Sequence, residues 1–193
     1  MSIILLLLRL PILIVHILVG LFTILFFPKE SKNFTSSHYR IMMLWMNILS
    51  SILGIKVDIR GIPDQSANLF VSNHVTYLDI IIINKLLPVN FIAKEEISSW
   101  PVIGRLASKT GTLFIKRGDN VESSKMIYEM EERFKLQNKI VFFPEGKIGN
   151  GKRVRKFHYK LFKSIENKEL YIQPIAIRYP AGYPINNLSL IHI

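Results

Sequence analysis

The stretch Asn73-His74-Val75-Thr76-Tyr77-Leu78-Asp79 decides how the rest of the chain reads. It follows an apolar run, Leu69-Phe70-Val71, with the look of a buried strand. It precedes Ile80-Ile81-Ile82-Ile83, which can continue a helix or a strand. A histidine and a carboxylate therefore stand where an apolar strand ends. A rigid frame at such a point can hold a base and the group that orients it beside a cleft. Thr76-Tyr77-Leu78-Asp79 also fits a helix capping box, with Thr76 as the N-cap. The two readings are compatible, because a carboxylate in the first helical turn can face a histidine in the preceding loop.

Downstream, strand-like and helix-like patterns alternate. Strands are expected at 57–60, 69–72, 90–93, 112–116, 140–143 and, last, 171–177. Between them, helical patterns cover 77–85, 121–135 and 157–166, and a short helix with a turn covers 95–106, broken at Trp100-Pro101. In 121–135, Met126, Ile127, Met130 and Phe134 share one side. This alternation predicts an α/β fold with a mixed or largely parallel sheet flanked by helices.

Four polar points then fall at strand ends: His74 with Asp79, Lys94, Lys116 with Arg117, and Glu145 with Gly146. Ligands of open α/β sheets gather at loops on one edge, so these four can converge. Each also has a plain structural reading. Lys116 and Arg117 fit surface charges at a strand end, and Pro144-Glu145-Gly146 fits a turn.

Upstream the composition changes. Apolar residues make up 49% of the 193-residue chain and crowd into its first 54 positions. The stretch 3–27 is apolar apart from Arg9, His16 and Thr23. At 1.5 Å per residue it reaches roughly 37 Å, longer than a bilayer core of about 30 Å. It exceeds a signal-peptide core, and no small-residue cleavage site follows it, so a retained anchor is expected. Arg9, His16 and Thr23 are seven apart and form one helical stripe, which can face another helix, a wet cavity or the headgroup layer. After a polar break at 28–37, a second apolar helix is expected over 38–53, with Gly54 as its stop. The pair reads as an N-terminal hydrophobic helical hairpin over 1–54, ahead of an α/β domain over 55–193. The rival reading of the second helix is an ordinary helix of the domain core.

The formal net charge is +11, which points to anionic partners. Beside so apolar an N-terminus, membrane lipid fits better than nucleic acid, for which no clustered aromatic and basic motif exists. The absence of cysteine excludes disulfides, thiolate zinc sites and cysteine nucleophiles. Basic residues follow Glu145 densely: Lys147, Lys152, Arg153, Arg155, Lys156, Lys160, Lys163 and Lys168. They suit an anionic lipid surface or simply a solvated face.

Taken together, these stretches resemble the glycerolipid acyltransferase family. Asn73 to Asp79 is similar to its His-x-x-x-x-Asp block, and Gly111-Thr112-Leu113-Phe114-Ile115-Lys116-Arg117 to its Gly-x-x-Phe-x-x-Arg block. Phe143-Pro144-Glu145-Gly146 matches Phe-Pro-Glu-Gly, and Ile172-Gln173-Pro174-Ile175-Ala176-Ile177 resembles the proline-centred fourth block. The resemblance covers roughly 56–177. It implies transfer of a fatty acyl group from acyl-CoA or acyl-carrier protein to the hydroxyl of 1-acylglycerol-3-phosphate or another lysolipid. His74 would then be the general base and Asp79 its orienting partner. Arg117 would hold the acceptor phosphate, with Glu145, Gly146, Gly111 and Phe114 shaping the substrate site and Lys94 as a second cation. No metal or cofactor is implied, and the expected location is the cytoplasmic face of a bacterial inner membrane. Two departures stand out. Lys147 replaces the threonine common after Glu-Gly, which bears on the acceptor headgroup. The chain also stops sixteen residues after the fourth block, at Ile193, which fits a short or truncated C-terminus. The rival from another class is a catalytically inactive lipid-binding protein of the same fold.

Overall fold

The computed structural model describes residues 3–28, 34–116, 120–149, 153, 155–179 and 189–192. Two helices lead, α1 (Ile3–Thr23) and α2 (Ser36–Ile52). A seven-stranded sheet follows: β1 (Val57–Arg60), β2 (Ala67–Ser72), β3 (Val89–Lys94), β4 (Leu113–Ile115), β5 (Lys139–Phe142), β6 (Tyr171–Arg178) and β7 (Ser189–His192). The connections carry α3 (Leu78–Leu86), a 3-10 turn (Glu95–Ser99) running into α4 (Ile103–Lys109), and α5 (Asn120–Lys135). The segment expected as a helix over 157–166 is a shorter 3-10 helix, Tyr159–Ile165.

The strand order is β1-β7-β6-β2-β5-β3-β4. β6, β2, β5, β3 and β4 run parallel; β7 lies antiparallel to β6, and β1 pairs parallel with β7. The mixed, largely parallel sheet is thus as expected, but 171–177 is not the last strand. Ser189–His192 adds one more, and it is this strand that attaches β1 to the sheet.

Both faces of the parallel part are covered, which is why its strands read as near-continuous apolar runs. Phe70 packs with Ile82, Ile83 and Leu87 on one face. Its neighbour Leu69 points the other way, to Met126, Met130 and Phe134 of α5 and to Leu161 and Phe162. The connections from β2 through α3 to β3, and on to β4, move in one direction along the sheet; those from β4 through α5 to β5, and on to β6, move back. The neighbours β2 and β5 therefore send their loops to opposite faces, and their carboxyl ends form the switch point at which open α/β sheets bind ligands.

α1 and α2 pack antiparallel. The polar stripe of α1 faces this partner: His16 donates from Nε2 to the Trp45 carbonyl at 3.1 Å, and Trp45 Nε1 donates back to the His16 carbonyl at 3.3 Å. Their rings stack at 4.5 Å. Arg9 donates to the Leu53 carbonyl at 3.4 Å, a cation at the C-terminus of α2. The third stripe residue, Thr23, donates back to Val19 in its own helix at 2.8 Å. The rest of α1 is turned inside out, with Leu8, Ile12, Val15, Val19 and Phe22 exposed. One span, Leu7–Phe26, is long and apolar enough to cross a bilayer. α2 serves both readings made of it. It is an arm of the hairpin, and it also packs on α3 and sends the Tyr39 hydroxyl to Asn90 and Asn138 of the domain. Gly54 ends it at φ +72° in a Schellman turn, with Gly54 N–H on Ser51 and Ile55 N–H on Ser50.

Candidate active site

β2 delivers Asn73 and His74 to this switch point. The Asn73 amide extends the β2–β6 ladder by one rung, donating to the Ile177 carbonyl at 2.9 Å and accepting the Ile177 N–H at 2.7 Å. The chain after it is therefore fixed rather than loose. Thr76 Oγ1 accepts the Leu78 N–H at 3.2 Å, and the Asp79 carboxylate turns back to accept the Thr76 N–H at 3.0 Å. Only half of the expected capping box is present: the helix is capped at Tyr77, and the Asp79 N–H goes to the Thr76 carbonyl at 3.2 Å and not to its hydroxyl.

The same carboxylate also meets the histidine. His74 Nδ1 lies 2.8 Å from Asp79 Oδ2, which additionally accepts the Val75 N–H at 2.6 Å. Asp79 is fully buried, and four donors satisfy it, the fourth being the Tyr179 hydroxyl on Oδ1 at 2.6 Å. With Nδ1–H given to Asp79, the lone pair of the imidazole sits on Nε2. Among the described residues Nε2 has no partner.

β5 supplies the facing wall. The Phe143 ring stacks on the His74 imidazole at 3.9 Å and 11°. Pro144-Glu145-Gly146 is the turn that the sequence suggests, closed by Gly146 N–H on the Phe143 carbonyl at 2.9 Å with Gly146 at φ +68°. Glu145 is buried. Its Oε1 faces the His74 N–H at 3.4 Å and its Oε2 accepts the Arg155 N–H at 3.0 Å. Gly149 N–H donates to the His74 carbonyl at 2.7 Å, and His158 N–H to the Pro144 carbonyl at 2.8 Å. Glu145 thus ties three pieces of chain together, and its bearing on any acceptor runs through the position of those loops.

The remaining expected residues divide. Lys94 ends β3, half-buried and at the same carboxyl edge as His74. Phe114 sits within β4, opposite Ala93. Gly111 stands before β4, at the amino edge, about 13 Å from that strand's far end at roughly 3.3 Å per residue. At φ +89° it closes α4 in a Schellman turn, with Gly111 N–H on Ser108 and Thr112 N–H on Ala107. Arg117, with Lys152 of the basic run, lies outside the described residues.

Two residues go beyond the sequence reading of the site. Phe143 enters that reading only as part of a motif, and Tyr179 is not singled out by it. Tyr179 follows β6 and reaches Asp79 from a hundred residues away. Burial, reinforced by the Asp79 charge, pushes its hydroxyl well above the ordinary tyrosine range, so it remains a donor.

A histidine held by a buried carboxylate can take a proton from a hydroxyl. A protein-family model described as Acyltransferase matches residues 55–178. The lyso-ornithine lipid O-acyltransferase of Pseudomonas aeruginosa is 34% identical over 145 residues, which are 75% of this chain and 56% of that protein. The 1-acyl-sn-glycerol-3-phosphate acyltransferase of Neisseria meningitidis serogroup B is 30% identical over 152 residues, 78% of this chain and 57% of that protein. The crystal structure of the 1-acyl-sn-glycerophosphate (LPA) acyltransferase PlsC from Thermotoga maritima shares the fold, with a TM-score of 0.63 at 19% identity over 80% of this chain and 66% of its own. The chain spans about half the length of the curated relatives it matches.

Proposed function

This chain belongs to the acyltransferase family, and from that premise we propose that it is a membrane-bound O-acyltransferase that esterifies the free hydroxyl of a lysolipid. The observation that carries the reading is the 2.8 Å contact between His74 Nδ1 and Asp79 Oδ2, which leaves Nε2 as the basic nitrogen at the switch point between β2 and β5. Nε2 takes the proton of the acceptor hydroxyl as that oxygen attacks the thioester carbonyl of acyl-CoA or acyl-carrier protein. The C–S bond breaks, the thiolate leaves, and the proton on His74 is free to follow it. Asp79 orients the ring and stabilises the imidazolium. A thioester is already activated, so no serine or cysteine nucleophile is required.

The acceptor assigned is 1-acylglycerol-3-phosphate, giving phosphatidic acid. Arg117 pairs with its phosphate in this reading, on the strength of the family motif, and Lys94 supplies a further cation toward the phosphate or the developing oxyanion. Glu145, Gly146 and Phe114 shape the surrounding walls. A second acceptor, a lyso-ornithine lipid, is favoured by a specific observation: that name belongs to the relative 34% identical to this chain, and Lys147 stands where threonine is common in the family. The reaction is assigned to the cytoplasmic face of a bacterial inner membrane, where acyl donors are made.

The test is acyl transfer in membranes carrying the protein, with both acceptors and both donors, for the wild type and His74→Ala. General bases contribute about 10²- to 10⁴-fold, so His74→Ala should lose at least about a hundredfold with every productive acceptor. Equal activity in the variant would remove His74 as the base. A wild type inactive with every acceptor would leave the lipid-binding reading instead. Which acceptor turns over faster decides between the two lipids.

A further inference from the structure

We propose that Trp100, Pro101, Val102 and Ile103, with Tyr77 beside them, form an apolar tip that enters the bilayer interface and sets the mouth of the reaction site at the lipid surface. This rests on the membrane-bound reading and adds a second point of contact to it, on the domain itself. The tip is apolar without an internal reason. Tyr77 is 59% exposed, Trp100 40% and Ile103 54%, and Pro101 and Val102 between them are exposed too. Soluble surfaces seldom gather such residues in one place.

Three observations select lipid as the occupant. The tip is continuous with the apolar surface already assigned to the membrane, because α4, which begins at Ile103, touches α1, whose outward face is apolar. The tip also adjoins the reaction centre. Tyr77 lies three residues from His74, and its ring centroid is 6.4 Å from that of Trp100. Tryptophan and tyrosine are the residues that settle at the headgroup level, and Arg105, exposed just beyond the tip, suits the phosphate layer. The acidic pair Glu95 and Glu96 opens the 3-10 turn at the sheet edge, before the tip.

The tip is built rather than loose. Trp100 N–H donates to Ile97 at 3.1 Å, and Gly104 N–H to Trp100 at 2.9 Å. A Cβ on Gly104 would stand 2.3 Å from the Ser98 carbonyl oxygen, so only glycine lets α4 close on the 3-10 turn and hold the loop out. A rigid apolar prominence beside His74 allows a lysolipid to move from the leaflet to the base without its acyl chain crossing water.

The chain has two tryptophans, which makes the test direct. In Trp45→Phe, Trp100 is the sole reporter. Its emission is read on vesicles of phosphatidylethanolamine and phosphatidylglycerol brominated near the headgroup end or near the chain terminus. We expect a blue shift and stronger quenching by the shallow bromines. If Trp45→Phe does not fold, the difference between wild type and Trp100→Phe carries the same signal. A third protein, Phe22→Trp with both native tryptophans changed to phenylalanine, reports on α1. Quenching of this α1 reporter without quenching of Trp100 overturns the tip and leaves the membrane reading intact; quenching of neither overturns both. Trp100→Ser with Ile103→Ser should raise the KM for a long-chain lysolipid in vesicles several-fold, and leave a water-soluble short-chain acceptor unaffected. Equal loss with both acceptors, or a Trp100 shift produced by acyl-carrier protein in place of lipid, also overturns it.

Discussion

At the scale of the residue, Asp79 serves two structures at once. One oxygen, Oδ2, accepts the Thr76 N–H ahead of α3 and meets the His74 ring, so the start of α3 and the proposed base share a single anchor. Tyr179 holds the other oxygen at 2.6 Å. Its hydrogen bond spreads the carboxylate charge and fixes the plane of the group. Without it the carboxylate can turn, and the His74 ring loses its aim. We expect Tyr179→Phe to lower kcat about tenfold, equivalent to about 1.4 kcal/mol, with acceptor KM and the thermal midpoint little changed. A loss of activity that only follows a lower thermal midpoint would make Tyr179 merely structural. The pairing of His74 with Asp79 is legible in the sequence because spacing and a helix start bring the two together locally. Tyr179 is not, because a tyrosine just past the last recognisable strand carries no pattern, and only the β2–β6 pairing brings it to Asp79. Glu145 is legible as a site residue, but the direction of its carboxylate depends on how residues after the turn fold back.

Elements are legible where their periodicity is strong. β2 is legible as a short apolar run, and the buried side of α5 follows directly from the spacing of Met126, Met130 and Phe134. β7 escapes because it is only four residues long, too short for a periodic pattern to stand out. Gly111 reads as part of a motif, although its local duty is to stop a helix. The stripe on α1 is legible as a stripe; its partner is not, because a seven-residue spacing does not say what it faces. The contact itself is close. A Cβ on Gly20 would stand 2.7 Å from Trp45 Nε1, so the helices meet where glycine admits the indole. Gly20→Val should force the pair apart and cost about 1–3 kcal/mol, as overpacking usually does. Thermal unfolding in detergent micelles, followed by Trp45 emission, should show a lower midpoint and a red shift. An unchanged midpoint and spectrum would mean that the packing of α1 on α2 contributes nothing measurable.

The whole molecule offers a membrane two kinds of attraction, and their sizes can be compared. Eleven large apolar side chains on α1 and the turn after it are roughly half exposed or more: Leu7, Leu8, Leu10, Ile12, Ile14, Val15, Leu18, Val19, Phe22, Leu25 and Phe26. Full burial of such a side chain is worth about 1.5–3 kcal/mol, so covering what remains exposed is worth about 1 kcal/mol each, and on the order of 10 kcal/mol together. The basic side beyond the Glu145 turn presents Arg153, Arg155, Lys156 and Lys163 to solvent. Each is worth about 1 kcal/mol at an anionic surface, and salt near 1 M shortens the screening length to about 3 Å and removes most of that. The apolar contribution exceeds the electrostatic one even at low salt, and it is not screened. The protein should therefore stay with the membrane fraction through washes in 1 M salt and in alkaline carbonate, and leave it only in detergent. Changing Arg153, Arg155 and Lys156 to glutamine should not alter that retention, although it removes three of the exposed charges. Release by salt alone would mean that charge carries the attachment and that α1 is buried against something other than lipid.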